Sequence, residues 1–211
     1  MKYSYDPPIL VKKIFSGFNW NTLNNKVLLT FDDGPIPETT EIILKLLDEY
    51  HIKAAFFCVG NNILKNPGLA NEIIKSGHEI GNHTFNHKRL TAINISIVEK
   101  EIRDCSEIIS KSTGKAVKHF RPPHGRFDLR IAKFLKKERL SNVMWSLLTF
   151  DYKNQINIVK FALKKYLKTD SIIVFHDSLK SKDIIIDSLK ACIDEVYKKE
   201  FEFGVPEECL K

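Results

Sequence analysis

Short strand-like apolar runs alternate with helix-spaced apolar residues along most of this chain, and that alternation narrows the architecture more than any other feature. Lys26 to Phe31, Lys53 to Val59, His78 to Gly81, Val117 to Phe120, Asn142 to Leu148, Ser171 to Phe175 and Glu202 to Val205 read as strands. Between them, the spacing of Ile42, Ile43, Leu46, Leu47 and Tyr50 predicts a helix after Pro37, and Leu69, Ile73 and Ile74 predict one closed by Gly77. Val98, Ile102, Cys105, Ile108 and Ile109 mark the longest helix, ending at Gly114; three more are centred on Phe134, on Val159 to Tyr166 and on Leu189 to Tyr197. Strict alternation of this kind implies a parallel sheet covered by helices, so the fold class is α/β. No Pro/Gly/Ser-rich linker divides the chain, so one domain over residues 26–211 is expected. Residues 1–25 form an N-terminal extension packed on it, with Phe18 and Trp20 as anchors.

The chemistry-bearing residues all fall just beyond strand C-termini. Asp32 and Asp33 follow the first strand, His83 and His87 the third, and Arg121-Pro122-Pro123-His124-Gly125 the fourth. Asp151 follows the fifth, and His176-Asp177 the sixth. In parallel α/β folds that edge is where active sites are assembled. Two adjacent carboxylates at the end of a buried strand repel each other and resist desolvation, so something must offset that cost. His83 and His87 are spaced i, i+4, and a single helical turn would aim both imidazoles the same way. Two histidines and one carboxylate make a sound divalent-metal set with coordination positions left open.

Composition removes several other classes. A chain that is 43% hydrophobic and 28% charged is of ordinary globular type, and no apolar run reaches membrane-span length. Net charge is +7, but the lysines are dispersed without the basic and aromatic organisation of a nucleic-acid binder. Asp6-Pro7-Pro8 interrupts the apolar residues at the N-terminus, so no signal-peptide core is visible and a cytoplasmic location is expected. Cys58, Cys105, Cys192 and Cys209 form no C-x-x-C pair and are read as structural and reduced. His51, His78 and His119 are likewise read as structural, and Asp177 as a supporting or turn residue.

The motifs together resemble the polysaccharide deacetylases of carbohydrate esterase family four: TFDDGP (Thr30 to Pro35), HTFNH (His83 to His87), RPPHG (Arg121 to Gly125), a weaker WSLLTFDY (Trp145 to Tyr152) and VFHD (Val174 to Asp177). The resemblance implies a distorted (β/α)7 barrel and metal-dependent removal of an acetyl group from an N-acetylated sugar or polysaccharide. It implies that Asp33, His83 and His87 hold one divalent ion, zinc first, with cobalt or nickel also suited. By the same resemblance Asp32 is the general base, Arg121 orients it, and His176 is the general acid oriented by Asp151. The backbone N–H of His124 is the oxyanion donor, and Pro123, Trp145, Tyr152 and Val174 are candidate substrate contacts. Such a division suits amide hydrolysis, which needs an activated water, a place for the oxyanion and a proton for the departing amine.

The chain departs from the family pattern in the fourth motif, where Leu148 and Tyr152 replace an earlier aspartate and a closing tryptophan common in relatives. His124 replaces a more common tyrosine, and Val174 a leucine. Two other readings compete. A catalytically silent carbohydrate-binding relative draws on the weakened fourth motif, but leaves Asp32, Arg121 and His176 without a task. A non-haem iron oxygenase would use the same three ligands, but has no need of Asp32 or His176.

Overall fold

The computed structural model describes residues 4–127 and 129–210, so residues 1–3 of the expected extension lie outside it. Seven parallel strands form one sheet: β1 (Leu28–Asp32), β2 (Ala55–Cys58), β3 (Glu79–Asn82), β4 (His119–Phe120), β5 (Ser141–Asn142), β6 (Leu147–Leu148) and β7 (Ile172–His176). Their order across the sheet is β5-β4-β3-β2-β1-β7-β6, a distorted (β/α)7 barrel. The helices are α1 (Ile9–Ile14), α2 (Pro37–Glu49), α3 (Gly60–Lys65), α4 (Pro67–Lys75), α5 (Ile95–Thr113), α6 (Ala132–Lys137), α7 (Ile156–Tyr166), α8 (Ile185–Lys198) and α9 (Pro206–Cys209).

Every residue of β1 and β2 is buried, the pattern of strands covered on both faces. Phe31 stacks on Phe56 with ring centroids 4.9 Å apart, and Phe175 lies 6.1 Å from Phe31, so the adjacent strands β2, β1 and β7 share one aromatic layer. Burying each such ring contributes roughly 1.5–3 kcal/mol. Local signals place the helices around it. Pro37 opens α2, Asn94 caps α5 by accepting from the Ser96 N–H at 3.0 Å, and Gly114 ends α5 in a left-handed conformation.

The strand count agrees with expectation, but two elements behind it differ. Asn142 to Leu148, read as one strand, is split: β5 and β6 are its two ends and form opposite edges of the sheet. The intervening residues 143–146 bridge the gap where the barrel does not close. Glu202 to Val205, read as the last strand, contributes only an isolated bridge between Phe203 and Val27. Gly204 and Pro206 flank it too closely for a longer ladder. All four cysteines are buried and unpaired. Among the described residues, no helix is long and apolar enough to cross a membrane.

Candidate active site

Asp32 ends β1 and pairs in register with His176, which ends β7, so the two catalytic candidates sit side by side on the sheet edge. They line one cleft of about 270 Å3 together with Asp33, His83, His87, His124, Gly125, Trp145, Leu148, Tyr152, Val174 and Lys180. Arg121 and Asp151 stand behind this wall, both fully buried.

Asp33 departs from the strand with φ 81°, and its carboxylate meets His83 and His87 whereas that of Asp32 meets Arg121. The chain behind it is tightly packed: a Cβ on Gly34 would lie 2.1 Å from Asp177 Oδ2, so only glycine fits there. Asp177 is fully buried and accepts from the hydroxyls of Thr39 and Thr40 in the first turn of α2, which ties this turn to the end of β7. Burial pushes the Asp177 carboxyl up to about 7, with the two threonine bonds opposing the rise.

Asp33, His83 and His87 each offer a ligand atom within 4.8 Å of the others. Nε2 of His87 lies 3.2 Å and Nε2 of His83 3.7 Å from Asp33 Oδ1. His83 Nδ1 donates to the Arg121 carbonyl at 2.8 Å, which fixes the tautomer and leaves the Nε2 lone pair facing Asp33. Burial pushes His83 down to about 4, against the pull of Asp32 and Asp33, so its imidazole is neutral and ready to ligate. Burial would raise Asp33, but the hydrogen bond from His87 and the neighbouring His176 and His83 hold it below the usual carboxylate range. Two imidazole nitrogens and one carboxylate oxygen on one side of a cleft fit a divalent ion.

The histidine pair does not meet by the expected helical turn. Residues 83–87 form no helix; Thr84 (φ 66°) and His87 (φ 55°) take left-handed conformations that fold the loop back and bring the two imidazoles to 5.1 Å. The loop is held from α5. Glu101 is 4% exposed and accepts from the Asn86 N–H at 2.7 Å and from the Asn86 amide at 2.9 Å; Lys88 pairs with it at 2.9 Å. Sequence reasoning missed Glu101, which lies inside an ordinary amphipathic helix and carries no motif.

On the other flank, Arg121 Nη1 donates to Asp32 Oδ1 at 2.7 Å and to the Thr30 hydroxyl at 2.8 Å. Its remaining donors reach the Val143 carbonyl at 3.0 Å and the Met144 carbonyl at 2.9 Å, and its guanidinium lies 4.0 Å over the Phe57 ring. A buried charge is tolerable only when satisfied in this way. His176 Nδ1 donates to Asp151 Oδ1 at 2.7 Å, and Asp151 Oδ2 accepts the His176 backbone N–H at 2.7 Å. Burial alone would depress His176; the Asp151 carboxylate reverses this and lifts it to about 9. Nε2 is thereby left for the cleft.

Trp145, Leu148, Tyr152 and Val174 line the cleft as its apolar part, and the Tyr152 ring lies edge-on to His176 at 4.8 Å. His124, at φ 59°, approaches His87 at 4.7 Å. Pro123 is buried and does not line the cleft, because it starts the short turn that turns His124 outward. Lys180 lines the rim and was not anticipated from the sequence, where nothing around it forms a pattern.

The family model described as polysaccharide deacetylase matches residues 20–143. A peptidoglycan-N-acetylglucosamine deacetylase of Bacillus cereus is 30% identical over 197 residues, which cover 91% of this chain and 92% of that protein. The chain spans 54% and 41% of the length of two longer relatives. Among solved structures, the Bc1960 peptidoglycan N-acetylglucosamine deacetylase in complex with an N-oxidanyl-benzamide superposes with a TM-score of 0.89 at 28% identity, covering 96% of each chain. BA3943 of Bacillus anthracis, described as a CE4 family pseudoenzyme, shares the fold with a TM-score of 0.82 at 21% identity, covering 91% of this chain and 68% of its own.

Proposed function

Because this chain belongs to the polysaccharide deacetylase family, we propose that it is a metal-dependent hydrolase that removes the acetyl group from N-acetylglucosamine units of a glycan. One observation carries the reading: the Asp33–His83–His87 donor set shares a single cleft with two separately oriented acid–base groups, Asp32 on Arg121 and His176 on Asp151. The N-acetylglucosamine substrate is taken from the description of the Bacillus cereus relative.

Asp33, His83 and His87 would hold the ion, zinc in the first instance with cobalt or nickel as alternatives. A divalent ion there supplies Lewis-acid polarisation of the acetyl carbonyl and lowers the pKa of a bound water. Asp32, fixed by Arg121, takes the proton of the attacking water. Its partner keeps the carboxylate oriented without drawing it out of the cleft. The His124 backbone N–H is the proposed donor to the oxyanion. His176, held protonated and oriented by Asp151, gives its proton to the departing amine. Trp145, Leu148, Tyr152 and Val174 exclude water around the acetyl methyl, and the shortness of Val174 leaves room there.

An oxygenase on the same ligands would leave both carboxylate-oriented pairs idle, and a silent binding relative would have no use for His176 set against Asp32. The test is acetate release from N-acetylglucosamine oligomers and peptidoglycan fragments by chelator-stripped protein, alone and with zinc, cobalt or nickel restored. Restored release supports the proposal. Absence of release with every ion and every acylated glycan would sink it.

A further inference from the structure

The N-terminal extension runs along both open edges of the barrel. The Tyr5 carbonyl accepts from the Leu148 N–H at 2.8 Å on the β6 edge. The Asn19 N–H donates to the Asn142 carbonyl at 2.9 Å, and the Asn19 carbonyl accepts from the Met144 N–H at 2.8 Å on the β5 side. Asn19 therefore pairs with Val143 as an added strand residue at the gap in the sheet. Aromatic side chains seat the strap at each end. Tyr5 stacks on Tyr166 at 5.0 Å and meets Phe150 edge-on at 5.1 Å. Phe15 and Phe18 pack on Phe127, in the loop that carries His124, at 4.8 and 4.9 Å. Trp20 is buried and its indole N–H donates to the Phe15 carbonyl at 2.9 Å.

The segment clamped by this strap is the one that holds the guanidinium of Arg121. Backbone groups alternate in direction along an extended segment. Asn19 bonds one edge of residues 142–144, and the Val143 N–H bonds Phe120 on the other edge at 2.8 Å. The Val143 and Met144 carbonyls receive Arg121 Nε and Nη2, while Nη1 of the same guanidinium holds Asp32. Val143 is bonded to the β4 side, and the Ser146 N–H bonds the Ile172 carbonyl at 3.1 Å on the β7 side, so the strap supplies the restraint on the remaining open side of residues 142–144.

We propose that this strap is part of the catalytic apparatus, with Asn19 as a positioning residue that clamps Met144, fixes the carbonyl pair that holds Arg121, and through Arg121 sets the orientation of Asp32. The inference rests on the proposed role of Asp32 as base, but its mechanical half can be measured without turnover.

The experiment uses the full chain with Asn19→Pro, which deletes the N–H that bonds Asn142. Trp20→Phe, which removes the bond to the Phe15 carbonyl and part of the buried ring, is the milder second variant if proline prevents folding. Leu189→Ala, in buried α8, serves as a control for lowered Tm alone. Two readouts are taken: hydrogen-exchange protection of the Arg121 Nε–H by NMR, and kcat and KM for acetate release with the bound metal quantified. The strap variants are expected to lose Arg121 protection by at least about tenfold. Their kcat is expected to fall about 10- to 100-fold with KM and metal content unchanged, since small misplacements of a catalytic group cost on this order. The same strap change introduced into Asp32→Asn should cost nothing further, because both act through one group. Arg121 protection as in wild type, an equal loss in the Asp32→Asn background, or a loss matched by Leu189→Ala would each overturn the proposal. Wild-type protein without turnover would sink the deacetylase reading, and Arg121 protection would still decide whether the strap holds the site.

Discussion

The two ends of the same parallel sheet both bury histidines and carboxylates, yet they satisfy them in opposite ways. At the C-terminal end, Asp32 is paired with the buried Arg121 and His176 with the buried Asp151, and Asp32 and His176 face a shared cleft. At the N-terminal end, His78 and His119 are almost fully buried, and burial pushes both down to about 4. Burial also raises Glu79, whose Oε1 lies 3.1 Å from Nε2 of the neutral His119. His119 Nδ1 is 2.7 Å from the Ser141 hydroxyl, and His78 Nδ1 accepts from the Ala54 N–H at 3.1 Å. The imidazole of His176, beside Asp151, keeps its proton, whereas the two packed at the opposite end do not.

The sharpest way to break this contrast is a pair of substitutions. Asp32→Asn is expected to lower acetate release by about 10²–10⁴-fold, while His119→Gln leaves turnover unchanged. Equal losses at the two ends would mean the buried histidine network takes part in the reaction. A smaller effect is expected one layer further from the chemistry. Glu101→Gln weakens the hold on Asn86 and Lys88, and metal affinity measured by titration calorimetry should drop about tenfold, in the range seen when ligand-supporting groups are lost. Glu79→Gln, at the opposite end, should leave that affinity intact.

The smallest effect is a pH slope. Because the folded chain holds His78 and His119 neutral well below their ordinary 6.5, unfolding takes up protons between pH 6.5 and about 4. Stability is therefore full above pH 6.5 and falls as the pH drops through that window. Each group contributes up to about 1.4 kcal/mol per pH unit. Urea midpoints of the His78→Gln/His119→Gln double variant should be flatter with pH than those of the wild type. His83 adds a similar slope in the metal-free chain. An unchanged slope in the double variant would show that the two ends do not differ in the way described.

Much of this site was legible without coordinates. Apolar periodicity located the strands, and strand ends located Asp32, Asp33, His83, Arg121, Asp151 and His176 on one edge, because parallel topology puts all C-termini together. HTFNH contains the two histidines that meet beside Asp33, but not by the expected helical turn: their meeting depends on left-handed backbone at Thr84 and His87, which residue spacing does not reveal. Glu101 and Lys180 were invisible because a supporting carboxylate in an amphipathic helix and a rim lysine look like ordinary surface chemistry in one dimension.

By itself, then, the sequence determined the alternation of elements, the edge that carries the chemistry and the identity of the polar side chains gathered there, since these follow from local periodicity and chain direction. Only the tertiary structure decided that residues 142–148 split across the gap in the barrel, that Asn19 fills that gap, and that the Val143 and Met144 carbonyls complete the shell around Arg121. The Asn19 contacts join residues more than a hundred positions apart, the Arg121 contacts residues 22 and 23 apart, and all of them use backbone groups that every residue carries. No side-chain pattern records them.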